Sequence, residues 1–245
     1  MYSYTYIFSG RFRHTVHRLA QPRAWARRGA ACKSAVVAPG DVVGIDIQPQ
    51  LVEQARALAA ERGVIARFDV ASVYELPFPD ASFDAAFAQT LLCHLAEPVR
   101  ALQELRRVLR PGGVIGLREP DFATHLLGPA MPLLAEMLAL AERARAHSGG
   151  DSYIGRELRR LLHEAGFVRT RASASLTAAG SLPETRQAAA VLAGVFQGVS
   201  RIALEQGWLD QQRADAIQAE VLAWGEREDA FRALLLCEAV GWVEG

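Results

Sequence analysis

From Asp41 onward, short apolar runs alternate with amphipathic segments, the pattern of βαβ units around a mostly parallel sheet. Val42–Ile47 is a β-branched run. Pro49–Arg62 is predicted as a helix whose Leu51, Val52, Ala55, Leu58 and Ala59 share one face, with Gly63 as its stop. A strand is predicted at Val64–Phe68, a break at Pro77-Phe78-Pro79-Asp80, and a strand at Phe83–Gln89. Glu97–Arg110 then reads as a helix presenting Leu102, Leu105 and Leu109, ended by Pro111-Gly112-Gly113 before a strand at Val114–Leu117. Further on, Met131–His147 is helical, and Asp151 or Ser152 is placed to cap a helix running through Leu158, Leu161 and Leu162 to Gly166. A strand is expected from Phe167, helices at Pro183–Gln206 and Leu209–Glu228, and a last strand within Phe231–Val243. The fold class is therefore α/β, doubly wound, with a mostly parallel sheet.

Composition qualifies this picture at one end. The neutral total of 27 basic and 27 acidic residues hides a basic head: the first 40 residues hold seven Lys or Arg, two His and no acid. The remainder is acidic, so nothing globally basic points to nucleic acid. With 245 residues and 51% apolar content there is ample material for a core. Cys32, Cys93 and Cys237 are odd in number and lie outside Cys-x-x-Cys spacing, which argues against a disulfide framework or zinc site and makes a reducing cytoplasm the expected location. Runs such as Val191–Val195 fall short of the roughly 20 residues of a membrane span. Nothing in the sequence speaks to oligomeric state.

Three readings of residues 1–35 stay open. An acid-poor, Arg-rich head is what an organellar transit peptide looks like. It could also be folded, with Tyr2–Phe8 a strand and Pro22–Val37 a helix. Or it could be the product of a shifted reading frame in GC-rich coding DNA.

The motifs Val42-Val43-Gly44-Ile45-Asp46-Ile47, Phe68-Asp69-Val70, Leu76-Pro77-Phe78, Ser82-Phe83-Asp84, His94 and Leu109-Arg110-Pro111-Gly112-Gly113 occur in a fixed order. In that order and spacing the chain resembles the class I S-adenosylmethionine-dependent methyltransferases, especially the small-molecule ubiquinone/menaquinone type. The resemblance covers Val36 to about Phe122 well, and Gly150 to Phe167 moderately. It implies a methyltransferase-like domain over residues 36–245, with a helical insertion around 122–150 above the acceptor pocket.

The resemblance also assigns roles. An acid at the tip of the second strand, Asp46, can accept both ribose hydroxyls of the cofactor, or cap the helix at Pro49. Ile47 would lie against the adenine face. Asp69 would take the adenine amino group and the Val70 N–H a ring nitrogen, with an ordinary turn aspartate as the plain alternative. Gln89, Thr90 and Leu91 would border the methionine portion. His94 is a candidate base for a hydroxyl or acidic carbon, or a packing residue. Glu119 and Asp121 would orient an acceptor or satisfy their loop, and His125 and Tyr153 would line a lid.

One family element is missing. A first strand ending in an acid and a Gly-x-Gly-x-Gly turn belongs about 20 residues before Asp46, where Leu19–Gly29 offers one glycine, no acid, Pro22 and Trp25. The first strand is thus missing or replaced, and Tyr2–Phe8 followed by Ser9-Gly10 is the run that could replace it. Two function classes are compatible with such a chain. One is transfer of a methyl group from S-adenosylmethionine to a small, apolar or aromatic acceptor. The other is an impaired methyltransferase fold acting at most as a binding module.

Overall fold

The computed structural model describes residues 4–10 and 40–245, so the predicted helix at Pro22–Val37 lies outside the described residues. Their elements are β1 (Tyr4–Gly10), β2 (Gly40–Asp46), α1 (Pro49–Glu61), β3 (Arg67–Val70), β4 (Phe83–Gln89), α2 (Pro98–Val108) and β5 (Leu109–Pro120). After them come β6 (Leu126–Gly128), α3 (Pro132–His147), α4 (Leu158–Glu164), β7 (Val168–Ala179), α5 (Leu182–Glu205), α6 (Gln211–Gly225) and β8 (Phe231–Trp242). Short 3-10 turns occupy Leu92–His94, Phe122–Thr124 and Ile154–Glu157.

The strands form one mixed sheet, ordered β3-β2-β1-β4-β5-β8-β6, with β7 also paired to β8. β2 runs parallel to β3, and β4 to β5. β1 fills the gap between β2 and β4 and runs antiparallel to both. The replacement strand anticipated near the N-terminus is therefore in the sheet, over Tyr4–Gly10. Its direction matters for the ligand edge. Tyr4 pairs with Gln89 at the edge where β2 to β5 end, while Gly10 pairs with Gly40 at the opposite edge. The Ser9-Gly10 step thus leaves the sheet on the far side from Asp46.

Cores form on both faces of the sheet. On one, Ile45, Ala86, Ile115 and Leu117 pack with Leu102 and Leu105 of α2 and Leu161 and Leu162 of α4; on the other, Val42, Phe87 and Val114 pack with Val52 and Ala55 of α1. Leu105 is fully buried, so Leu105→Ala would cost about 2–5 kcal/mol. A separate core joins Leu134 and Met137 of α3 to Phe196 of α5 and Trp224 of α6. By length and apolar composition α5 could cross a membrane, but it buries Thr185, Ala188, Leu192 and Phe196 within this protein, as a core helix does.

The motif residues brace turns. Glu104 accepts from the Leu76 N–H at 2.7 Å, and Arg107 donates to the carbonyls of Leu76 and Phe78, which fixes the Leu-Pro-Phe corner. Arg110 pairs with Asp84 at 3.0 Å and donates to the Ala81 and Ser82 carbonyls, tying the start of β4 to that of β5. The strand expected at Val64–Phe68 begins at Arg67 instead, because the Val64 N–H still bonds the Ala59 carbonyl of α1 around Gly63, whose φ is +62°. Asp151 receives the Tyr153 N–H and Ser152 receives Arg145, so a 3-10 turn precedes a shorter α4.

Candidate active site

The parallel strands β2, β3, β4 and β5 all end on one edge, where open α/β sheets bind ligands. One register row crosses it as Asp69, Ile45, Thr5, Ala88 and Leu117. One residue further out, Asp46 pairs with Val70, and Gln89 with both Tyr4 and Arg118. Asp46 and Val70 are thus neighbours, whereas Gln89 is two strand spacings from Asp46, about 10 Å across β1.

Asp46 is half-buried, and Oδ1 accepts from the Gln48 N–H at 2.8 Å. Burial raises its pKa, opposed by the backbone N–H groups of Gln48 and Ile47. It thereby serves the entry to α1, whose N-cap residue, Gln48, makes no side-chain cap. Two apolar side chains stand open beside it, Ile47 at 67% exposure and Val70 at 50%. Asp69 is partly buried and bridged by Arg67 at 2.9 Å.

The tip of β4 carries a feature with no sequence signal. Thr90 has φ +51°, a left-handed conformation that a β-branched residue rarely adopts, and its N–H donates to the Arg118 carbonyl at 2.9 Å. Such strain costs on the order of 1–3 kcal/mol and gathers at functional sites. It aims Leu91 and the 3-10 turn of Leu92–His94 over the edge. Glu119, wholly buried, holds that turn: its carboxylate accepts from the N–H groups of Leu91 at 2.8 Å, Leu92 at 3.0 Å and Cys93 at 3.4 Å. Desolvation lifts its pKa to about 7 despite those bonds. Glu119 is therefore placed to position the turn rather than to meet an acceptor directly. His94, at the turn's end, is exposed by area yet closely surrounded by protein atoms; this crowding, with the Arg145 cation, lowers its pKa and favours neutral imidazole. Asp121 is buried and committed to Arg156, at 2.7 and 2.8 Å, and to the Ala123 N–H. Tyr153 bonds Glu142 of α3.

Residues 26–117 match the family profile described as "Methyltransferase domain", a span holding Asp46, Asp69, Gln89 and His94. Over that span the chain carries the methyltransferase-domain pattern, in keeping with its resemblance to the class I S-adenosylmethionine-dependent methyltransferases. It is 33% identical over 129 residues to an O-methyltransferase of Aspergillus sclerotiorum, covering 51% of this chain and 46% of that protein. It is 37% identical over 94 residues to the demethylmenaquinone methyltransferase of Deinococcus radiodurans, covering 38% and 39%. The chain thus spans half or less of the length of these curated relatives. The YcgJ protein of Bacillus subtilis shares the fold, with a TM-score of 0.50 at 20% identity over 83% of this chain and 82% of that one.

Against what this methyltransferase family requires, the two halves of the edge differ. Asp46, Ile47, Asp69 and Val70 sit together on adjoining strand tips. For the methionine half, β1 enters the edge with its N-terminal end, and its C-terminal Gly10 lies at the opposite edge. Residues 11–39, the other source of a loop, lie outside the described residues.

A buried network next to Gln89 has no counterpart in the sequence pattern. Arg118 pairs with Glu238 at 3.4 Å, and Glu238 accepts from Ser173 at 2.9 Å and Ser175 at 2.7 Å. The residues lie on different strands at separations of 63 to 120 positions, so no local pattern announces them.

Proposed function

We propose that the chain transfers a methyl group from S-adenosylmethionine to a small, apolar or aromatic acceptor. The observation that carries this reading is the pairing of Asp46 and Val70 on parallel strand tips, with Ile47 and Val70 open beside two acids, inside the span that matches the family. Asp46 would hold the ribose hydroxyls through its carboxylate, Asp69 and the Val70 N–H the adenine edge, and Ile47 the adenine face. Gln89 would border the methionine portion. Bound there, S-adenosylmethionine supplies a sulfonium methyl open to in-line displacement.

The chain's own part is chiefly positioning, worth roughly 7–11 kcal/mol for well-oriented reacting pairs. Glu119 fixes the Leu92–His94 turn through three backbone bonds, and Thr90 sets its direction. His94, kept neutral, would take the proton of a hydroxyl or acidic-carbon acceptor. The relatives include an O-methyltransferase and a demethylmenaquinone methyltransferase, which supports a small acceptor without choosing its atom.

The test is a melting-temperature titration of the full chain with S-adenosylmethionine. At 100 times the dissociation constant, a ligand that binds only the folded state adds about 2.7 kcal/mol, a rise of several degrees. A melting curve unmoved at millimolar ligand would overturn the proposal.

A further inference from the structure

β8 extends past the catalytic edge: Pro120, the last residue of β5, pairs with Leu236, so residues 231–235 overhang the edge between β6 and β7. Arg232 lies in this overhang, directly opposite Leu127 on one side and Ala179 on the other. Strand alternation puts Arg232 on the same sheet face as Glu238, Arg118, Gln89 and Asp46. It stands four residues beyond Leu236, about 14 Å.

Arg232 is half-buried, and its Nε donates to Nε2 of His125 at 2.9 Å. That bond requires Nε2 to be unprotonated and puts the neutral ring's proton on Nδ1. Nδ1 is buried and has no hydrogen-bond partner among the described residues. Nor is any carboxylate in ion-pair contact with Arg232 among them, whereas Arg118, Arg107 and Arg145 each have a carboxylate or hydroxyl partner. Burial lowers the Arg232 pKa with no compensating anion, and burial followed by the Arg232 charge lowers that of His125. Apart from the Nε2 that accepts from Arg232, the pair offers donors and a net positive charge with no carboxylate partner among the described residues, an arrangement that an anion would complete.

We infer that Arg232, oriented by His125, forms an oxyanion subsite, taking a carboxylate or phosphate group at the far end of the methyl acceptor. The terminal nitrogens of the guanidinium, left free by the Nε bond to His125, suit either anion; His125 orients them, its Nδ1 facing away on the other side of the ring. The assignment of the anion to an acceptor rests on the methyltransferase reading; the anion site itself does not. It narrows the acceptor to an apolar body with a charged end, held on the same sheet face as Gln89.

The experiment uses the full chain labelled with ¹⁵N-histidine, whose six imidazoles are followed by long-range ¹H–¹⁵N spectra at constant ionic strength, with His125→Gln to assign the signal. Benzoate and inorganic phosphate are titrated separately, with neutral benzamide as control. The expected result is a saturable shift of the His125 nitrogens with benzoate, phosphate or both, none with benzamide, and at least tenfold weaker anion binding in Arg232→Gln. Arg232→Lys should retain part of that affinity. Because Arg232→Gln removes an uncompensated charge, its melting temperature should match or exceed that of the parent. Absence of a saturable shift with either anion, or equal anion affinity in Arg232→Gln, would refute the subsite. The melting response to S-adenosylmethionine is read on the same samples: its loss in the unaltered chain counts against methyl transfer alone, and its survival without an anion shift counts against the subsite alone.

Discussion

The tips of β2 and β3 and the tip of β1 lie side by side on one sheet edge, yet they were built under different constraints. At β2 and β3 the parallel direction brings the acids Asp46 and Asp69 and the open apolar residues Ile47 and Val70 together, as the proposed adenosine site needs. At β1 the strand satisfies the backbone of its two neighbours but runs the other way. Closing a sheet demands only N–H and C=O groups at the right spacing, which a run such as Tyr-Thr-Tyr-Ile-Phe can supply in either direction. Cradling a ligand demands a direction and a bare turn as well. Filling a sheet position and shaping a binding site are therefore separate demands on a strand.

The greatest loss is expected on the β2 and β3 side. Asp46→Ala should remove two charge-assisted hydrogen bonds, on the order of 4 kcal/mol or nearly a thousandfold in affinity for S-adenosylmethionine, measured by calorimetry. An affinity within threefold of the parent would place the ribose elsewhere. On the β1 side, Ile7→Pro tests the sheet through backbone alone, since residue 7 pairs with both Val43 and Ala86. A central strand cannot lose that donor cheaply, and chemical denaturation should show a loss of about 3 kcal/mol or more. Unchanged stability would mean that β1 is not between β2 and β4.

Glu119 approaches the same contrast from the β4 and β5 side. Its pKa rises from the ordinary 4.5 to about 7 on folding, so the native state holds the proton more tightly. That contribution to stability is fully present below about pH 4.5 and lost as pH climbs through about 7, roughly 3 kcal/mol in all. Relative to Glu119→Gln, the parent protein should therefore weaken across this window, as denaturation at several pH values would reveal; a constant difference would argue that the carboxyl group is not desolvated. Ile47→Ala should be the mildest change. Removing an apolar contact to adenine should cost about 1 kcal/mol, some fivefold in affinity by calorimetry, with little change in stability because the side chain is mostly exposed.

Most of the fold is legible in the residues because the periodicities are local. The helix at Pro49, the strand Phe83–Gln89 and the helix Pro132–His147 lie within a residue or two of their expected bounds. Asp46, Ile47, Asp69 and Val70 are legible for the same reason, as each sits at a strand end marked by its neighbours. The features that escape depend on distant pairing or on backbone strain. β6 is three residues recruited by β8 some hundred positions later, and Arg118 meets Glu238 across 120 positions. The positive φ of Thr90 accompanies a bond from its N–H to the Arg118 carbonyl on the neighbouring strand. Glu119 stands out by its place at a strand tip, but only the fold reveals that three backbone N–H groups occupy it. The antiparallel sense of β1 is equally hidden, since strand propensity carries no direction.

Adenosine held at the tips of β2 and β3, although β1 brings no glycine turn to that edge, can be seen or refuted in a crystal structure of the full chain with S-adenosylhomocysteine. Both ribose hydroxyls should lie within hydrogen-bond distance of the Asp46 carboxylate, and the adenine ring should rest against Ile47. Adenosine seated away from Asp46, or no ligand bound at saturating concentration, would show that these strand tips do not form the cofactor site.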